Sequence, residues 1–492
     1  MITTLAFRHL LVRKRRSLFL LLGYSLGVGV MIVLLSVGEA MLEQSRDVSL
    51  VGGGEVTILP QGIDVEAMRT GGVSSMFFTI DRARFLVRQV LGGSRTRHLV
   101  RVVSPSLEGK LLYLRRGARV VPVRAGGEIP SRAAAVGSGL TLLSGDWKDS
   151  PGDSVFVAPS LQQLYDELDR FHLPTLPDST WGEWHYFNLV TRPDEWWYLT
   201  YLIGGKVGSK QPSDSGRWGG QILVTQRRPG GAYNRFQAQE PSHRIMLDTS
   251  RADLTIGNSS VRQRNGVYQL QGKATGPAGE VSIDVALTPT PNRYFPPVEL
   301  RDDEFLSGYV VPGLMATASG TICVRTRCRQ FRDVPAYHDH NWGVWRDVTW
   351  EWGAAQGRRL AVLYGGVYGP ERGNSAASVR SPFFLAVVDS LGVKQVLRFD
   401  RIDYQGAVRL RGTGPLSSPR RFQLLATRER DTLRLTVEVQ DALGTEMNAS
   451  GLRRGFLQMR GRFNLSGNLL GETVSDSGMG FFETYVPRTE RQ

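Results

Sequence analysis

The stretch Trp181–Gly205, WGEWHYFNLVTRPDEWWYLTYLIGG, decides the fold. It reads as two short strands, WHYFNLVTR and EWWYLTYLIGG, rich in aromatic and β-branched residues and parted at Pro193-Asp194. The texture continues to the C-terminus through GQILVTQRR, RIMLDT, ADLTIGN, GVYQLQGKA, EVSIDVALTP, LAVLYGGVYG, PFFLAVVDS, LRLTVEVQD and RRGFLQMRG. Short alternating segments divided by Gly, Pro, Asn or Asp argue for an antiparallel barrel or sandwich. Roughly 310 residues of this pattern exceed one small barrel, so two barrel-like halves are expected, meeting near residue 345.

Two segments in this region concentrate chemistry. Tyr337-His338-Asp339-His340-Asn341-Trp342-Gly343 gathers two histidines, a carboxylate, a phenol and an indole, and Trp181–Asn188 supplies Glu183, Trp184, His185 and Tyr186. Three of the seven histidines fall in these segments. Strand alternation sorts them. Tyr337 and Asp339 share one face, while His338, His340 and Trp342 share the other; Trp184 and Tyr186 oppose His185. Only one set is expected to point into a barrel. If Asp339 points inward, acid catalysis follows; if the histidines do, Asp339 is a rim or structural group. Asp339 is the favoured acid with Tyr337 as hydrogen-bond partner, and His338, His340, Glu183 and His185 are further catalytic candidates. Trp184, Tyr186, Trp197 and Trp342 are candidate ligand-binding aromatics, or else plain core.

Outward from this region, Ser160–His172 has helical periodicity, with Leu161, Leu164, Tyr165 and Leu168 on one face and Ser160 as N-cap. Residues 46–146 hold short apolar runs with Gly-rich breaks, a small β-rich domain. Ser17–Val37 is uncharged and about 20 residues long, enough to span a bilayer. Arg13, Lys14, Arg15 and Arg16 precede it, so the N-terminus is expected on the cytoplasmic side of the inner membrane and the bulk in the periplasm or an equivalent extracytoplasmic space. A cleaved signal peptide ending near Ser36-Val37-Gly38 is the competing reading.

The net charge of +14 points to an acidic partner. The basic residues are scattered and no nucleic-acid-binding motif is present, which favours an anionic membrane surface over nucleic acid. No Walker loop, nucleophile elbow or metalloprotease spacing occurs, and no cofactor is implied. Cys323 and Cys328 flank a turn at Val324–Arg327; a cross-strand disulfide, free thiols and a Cys2His2 metal set with His338 and His340 are the alternatives.

The N-terminal stretch Leu5–Arg16, the apolar segment and Ser36–Met41 resemble the start of MacB/LolE-type ABC transporter permeases, a likeness that fades by Gly145. Trp181–Asn188, Glu195–Tyr198, Gly308–Leu314, Ala318-Ser319-Gly320 and Tyr337–Gly343, with Leu164–His172 and Gly478–Glu483, resemble the AttH-like lipocalin-type family, also called hydroxyneurosporene synthase or carotenoid 1,2-hydratase. That likeness covers about residues 147–487. It implies a mainly β chain of two lipocalin-like antiparallel barrel halves (147–345 and 346–487) around an apolar cavity, preceded by one transmembrane helix (1–45) and the small domain (46–146). The Tyr-x-Asp of the hydratases corresponds to Tyr337 and Asp339; their upstream His-x-Trp has no counterpart in Tyr309–Leu314.

Three functions are therefore expected to compete. One is a membrane-anchored extracytoplasmic protein that binds a lipid or isoprenoid beside the permease and ATPase of an ABC export system. Another is a carotenoid 1,2-hydratase-like lyase, cyclase or isomerase. The third is a scaffold without ligand.

Overall fold

The computed structural model describes residues 14–46, 56, 58, 80–117, 119–136, 148–157, 165–166, 168–172, 181–204, 218–229, 231–301, 306–344, 349–368, 383–410, 416–449 and 452–487. The basic segment before Lys14, the Gly52-Gly53-Gly54 link and Ser160, Leu161 and Leu164 of the lead-in helix lie outside the described residues. The chain divides into two compact units, residues 1–83 with 102–158 and residues 84–101 with 159–492.

The first unit contains helix α1 (Lys14–Arg46) and an antiparallel hairpin of β1 (Ser106–Arg116) and β2 (Arg119–Glu128). Ser17–Val37 is helical, and the apolar side chains Leu22, Leu26, Val30, Val33 and Leu34 are exposed. The side chains of Ser17, Leu20 and Leu21 are not described, and among the described residues no helix is long and apolar enough to cross a membrane.

Helix α2 (Ile80–Gly92) begins before the boundary at residue 84, and the second unit is mainly β, built on two large antiparallel sheets. The first sheet contains β3 (Trp181–Arg192), β4 (Glu195–Gly204), β5 (Gly219–Arg227), β6 (Tyr233–Pro241), β7 (Ile245–Asp248), β8 (Asp253–Ile256), β9 (Ser259–Arg264), β10 (Val267–Gly276), β11 (Gly279–Pro289), β12 (Phe295–Arg301), β13 (Leu306–Val324) and β14 (Arg327–Val344). Eight of these close into a barrel in the order β11-β13-β14-β3-β4-β5-β6-β10, because β10 also pairs with β11. The second sheet contains β15 (Thr349–Gly357), β16 (Ala361–Tyr368), β17 (Phe383–Asp389), β18 (Gly392–Phe399), β19 (Asp403–Arg409), β20 (Ser417–Arg428), β21 (Asp431–Ala449), β22 (Leu452–Leu469) and β23 (Glu472–Pro487). It runs β18-β17-β16-β15-β23-β22-β21-β20-β19, and the pair Arg398–Thr427 returns β18 to β20.

Burial follows strand period. In β10 (VYQLQGKATG) buried and exposed residues alternate, as in a wall with one dry face. In β3, β4 and the second half of β14 both faces are buried. One face looks into the first barrel, where Phe187, Leu189, Trp197, Tyr201, Tyr268 and Leu270 form its core. The other packs on the second sheet, where Tyr186, Trp196, Tyr198, Tyr309 and Tyr337 meet Ala354, Leu363 and Ala386. Each such aromatic contributes roughly 2–3 kcal/mol by leaving water. Close approach matters at Gly308, opposite Trp342 in β14: the indole occupies the space a Cβ would need.

Cys323 and Cys328 face each other across the β13–β14 turn and are disulfide-bonded. This overturns the Cys2His2 alternative, since bonded sulfurs offer no thiolate to a metal.

The second sheet buries an acid of its own. Glu351 accepts hydrogen bonds from Tyr404 Oη at 2.7 Å and Thr484 Oγ1 at 3.1 Å, yet burial outweighs them and raises its pKa from 4.5 to about 8. The folded chain therefore keeps a proton that the unfolded chain loses. Stability should fall as pH rises from about 4.5 to about 8, by up to about 1.4 kcal/mol per unit from this group. In Glu351→Gln that part of the slope should vanish, read from urea unfolding midpoints across the window. Identical slopes in both proteins would refute the assignment.

Candidate functional site

β3 and β14 lie side by side, and their register sets the site. Glu183 faces Trp342, His185 faces His340 and Phe187 faces His338 on the inner surface of the barrel. Tyr186 faces Asp339 and Trp184 faces Asn341 on the outer surface, toward the second sheet. The histidines thus take the barrel interior. Of the two roles expected for Asp339 in that case, rim or structural group, burial against the second sheet removes the rim, since Asp339 is only 2 % exposed.

The inner group centres on Asp169, at the end of the lead-in segment. Its Oδ1 lies 2.5 Å from His340 Nδ1. Its Oδ2 accepts a hydrogen bond from Tyr268 Oη at 2.6 Å and lies 3.3 Å from His338 Nε2. His338 Nδ1 donates to the Tyr186 carbonyl at 3.1 Å. Glu183 Oε1 accepts the His172 backbone N–H at 2.8 Å and stands 3.0 Å from His340 Nε2, without hydrogen-bond alignment. Among the described residues, neither ring nitrogen of His185 has a hydrogen-bond partner, although its side chain is fully buried. Its ring centroid lies 4.1 Å from that of His340.

Burial alone would protonate Asp169, but His340 and His185 reverse that and hold its carboxyl well below the usual range. Burial would neutralise His340, but Asp169 and Glu183 raise it to about 9. His185 is driven well below the ordinary value, first by burial and then by His340. His172 stacks on Trp342 with centroids 3.5 Å apart.

The outer group is an acid in an aromatic layer. Tyr337 Oη donates to Asp339 Oδ2 at 2.7 Å, Asn341 Nδ2 donates to Oδ1 at 2.7 Å, and Trp352 Nε1 donates to Tyr337 Oη at 3.0 Å. Gln458 Nε2 donates to Tyr186 Oη at 2.9 Å and to Glu483 Oε1 at 3.3 Å. Tyr309 meets Trp352 edge-on at 5.0 Å and Phe384 in a stack at 5.8 Å. Burial raises the Asp339 pKa to about 8, helped by Glu483 and opposed by Tyr337, Asn341 and His340. Such a carboxyl can hold a proton at neutral pH and deliver it inside a dry aromatic layer.

The candidate residues therefore divide. His338, His340, Glu183, His185, Trp197 and Trp342 belong to the barrel side, and Tyr337, Asp339, Trp184 and Tyr186 to the inter-sheet side. The candidate aromatics Trp184, Tyr186, Trp197 and Trp342 do not form one cage. Sequence reasoning did not single out Asp169, Tyr268, Trp352, Gln458 or Glu483. Only Asp169 carried a local signal, as a carboxylate beside the apolar face of a helix.

No family model matches the chain, and no curated protein does. Among solved structures, an AttH protein from Nitrosomonas europaea is similar at a TM-score of 0.41 and 15% identity, covering 62% of this chain and 91% of that one. CghA in complex with Sch210972 is similar at 0.43 and 10%, covering 64% and 90%. Kievitone hydratase from Nectria haematococca is similar at 0.40 and 14%, covering 63% and 91%.

Removing one partner of a buried ion pair strands the other charge. Asp169→Ala should accordingly destabilise the fold by roughly 3–5 kcal/mol. Chemical unfolding checks this, and a loss below about 1 kcal/mol would mean that Asp169 does not hold His340 and Tyr268 as described.

Proposed function

We propose that the protein is a hydratase, cyclase or isomerase that protonates a carbon–carbon double bond of an isoprenoid-like substrate from Asp339. The observation that carries this reading is the Asp339 carboxyl itself, 2 % exposed, hydrogen-bonded to Tyr337 and Asn341 and set in a layer of aromatic faces. Protonating an isolated alkene needs a neutral acid and surroundings that tolerate a carbocation. Desolvation favours the neutral carboxyl. The faces of Tyr309, Trp352 and Phe384 would each stabilise the cation by about 0.5–2 kcal/mol. Tyr337 orients the acid, and Trp352 in turn holds Tyr337. Attack by water, or by a hydroxyl of the substrate in ring closure, then quenches the cation as an oxonium that returns its extra proton to the Asp339 carboxylate; in isomerisation an adjacent C–H of the cation gives up that proton instead.

The test starts from organic extracts of gently purified protein. An isoprenoid recovered there is incubated with protein and followed by mass spectrometry for gain of one water, or for a rearranged product of unchanged mass. Asp339→Asn should lose turnover by at least about 100-fold while retaining binding. Equal turnover in the variant overturns acid catalysis, and binding without turnover in the wild type leaves a lipid- or isoprenoid-binding protein.

We also propose that the two barrel halves are lipocalin-like and sit outside the cytoplasm, anchored by α1 beside an ABC export system. The exposed apolar side chains of α1 next to Lys14, Arg15 and Arg16 support anchoring, and the Cys323–Cys328 disulfide suits an oxidising compartment. Alkaline carbonate extraction of membranes should leave the full chain in the pellet. Complete release would remove the anchor.

A further inference from the structure

We propose that the interior of the first barrel binds a divalent transition-metal ion through His185, His340 and Asp169, with Glu183 beside it. This site lies on the opposite face of β14 from Asp339 and goes beyond the acid reading. The three side chains come from the lead-in segment, β3 and β14, and each offers one ligand atom within 4.8 Å of the others. Two imidazoles and one carboxylate suit Zn2+ or Fe2+, not Mg2+ or Ca2+, which prefer all-oxygen shells.

The second observation is His185. Both its nitrogens are fully buried and unpartnered among the described residues, and Glu183 Oε2 is unpartnered as well. A buried ring with no hydrogen bond on either nitrogen is unusual unless something unseen satisfies it. Its neighbour His340 has Asp169 at one nitrogen and Glu183 at the other, so donors surround the space around the His185 ring. An ion would open the Asp169–His340 contact by roughly 1 Å, to the ligand spacing of a tetrahedral site.

The surroundings resemble an outer shell that orients ligands. Asp169 receives Tyr268 through its second oxygen, and His338 is fixed between that oxygen and the Tyr186 carbonyl. Phe171 lies 5.2 Å from the rings of both His185 and His340. Phe187 stacks on His338, and Trp342 meets His340 edge-on. These rings exclude bulk water, which would otherwise compete for the ion.

The experiment uses the full chain, stripped with chelator and then titrated with Zn2+ alone. Bound metal is counted by mass spectrometry after dialysis, and the thermal midpoint is followed in parallel. Wild type and Asp339→Asn should each retain about one equivalent and unfold at higher temperature with zinc. His185→Ala should weaken zinc binding by at least about tenfold. No retained zinc in the wild type overturns the site, as does equal retention in His185→Ala, which would place the ion on exposed histidines. If His185→Ala does not fold, Co2+ added to the stripped wild type decides. Visible d–d bands of a nitrogen-ligated ion support the site, and their absence overturns it.

Discussion

Everything in the site depends on β3 and the second half of β14, adjacent strand segments that have no wet face. A strand sends successive side chains to opposite sides, and an ordinary barrel wall uses this to keep one side polar. In β3 and β14 the second sheet takes the place of solvent. Both sides must then be dry, so a polar group there that finds no partner within the protein carries a desolvation cost. The polar clusters on the two faces follow from that demand, and the inner and outer groups solve it in opposite ways.

Inside the barrel the solution is charge pairing. Asp169 is held low chiefly by His340, and Glu183 by the side chains of His172 and His340, while Tyr268 and the His172 backbone N–H occupy further lone pairs. Between the sheets, among the described residues, Asp339 has no charged hydrogen-bond partner, and the charge of His340 acts on it only from the other face of β14. The carboxyl has neutral donors only, and desolvation wins over them. Two carboxylates separated by one sheet thickness therefore differ in protonation because one has an imidazole neighbour and the other a phenol and an amide. Glu351 repeats the second solution inside the second sheet, with Tyr404 and Thr484 as donors.

The strand content and the sorting of faces were legible in the sequence. Spacing by two placed Tyr337 with Asp339, and His338 with His340 and Trp342. Which face turned inward was not legible, because a single strand carries no sign of a second sheet behind it. Asp169 is 171 residues from His340 in the chain, and Tyr268 is 99 from Asp169; closure of the barrel brings them together, and no local pattern encodes it. Trp352, Gln458 and Glu483 belong to the other sheet, so their contacts exist only once the two sheets pack. The fate of Cys323 and Cys328 was easier, since a tight turn puts flanking residues opposite each other.

Tyr186 joins the two solutions. Its carbonyl accepts from His338 on the barrel side, while its phenol accepts from Gln458 on the inter-sheet side. On β14, His338 and His340 flank Asp339, and backbone pairing to β3 holds all three in register. A shift of the inner histidines must therefore move the strand that carries Asp339, because the inner and outer side chains share one backbone. Packing that is intolerant of small displacements transmits such a shift instead of absorbing it. The acid in the aromatic layer is thus positioned partly by the ionic cluster it never touches.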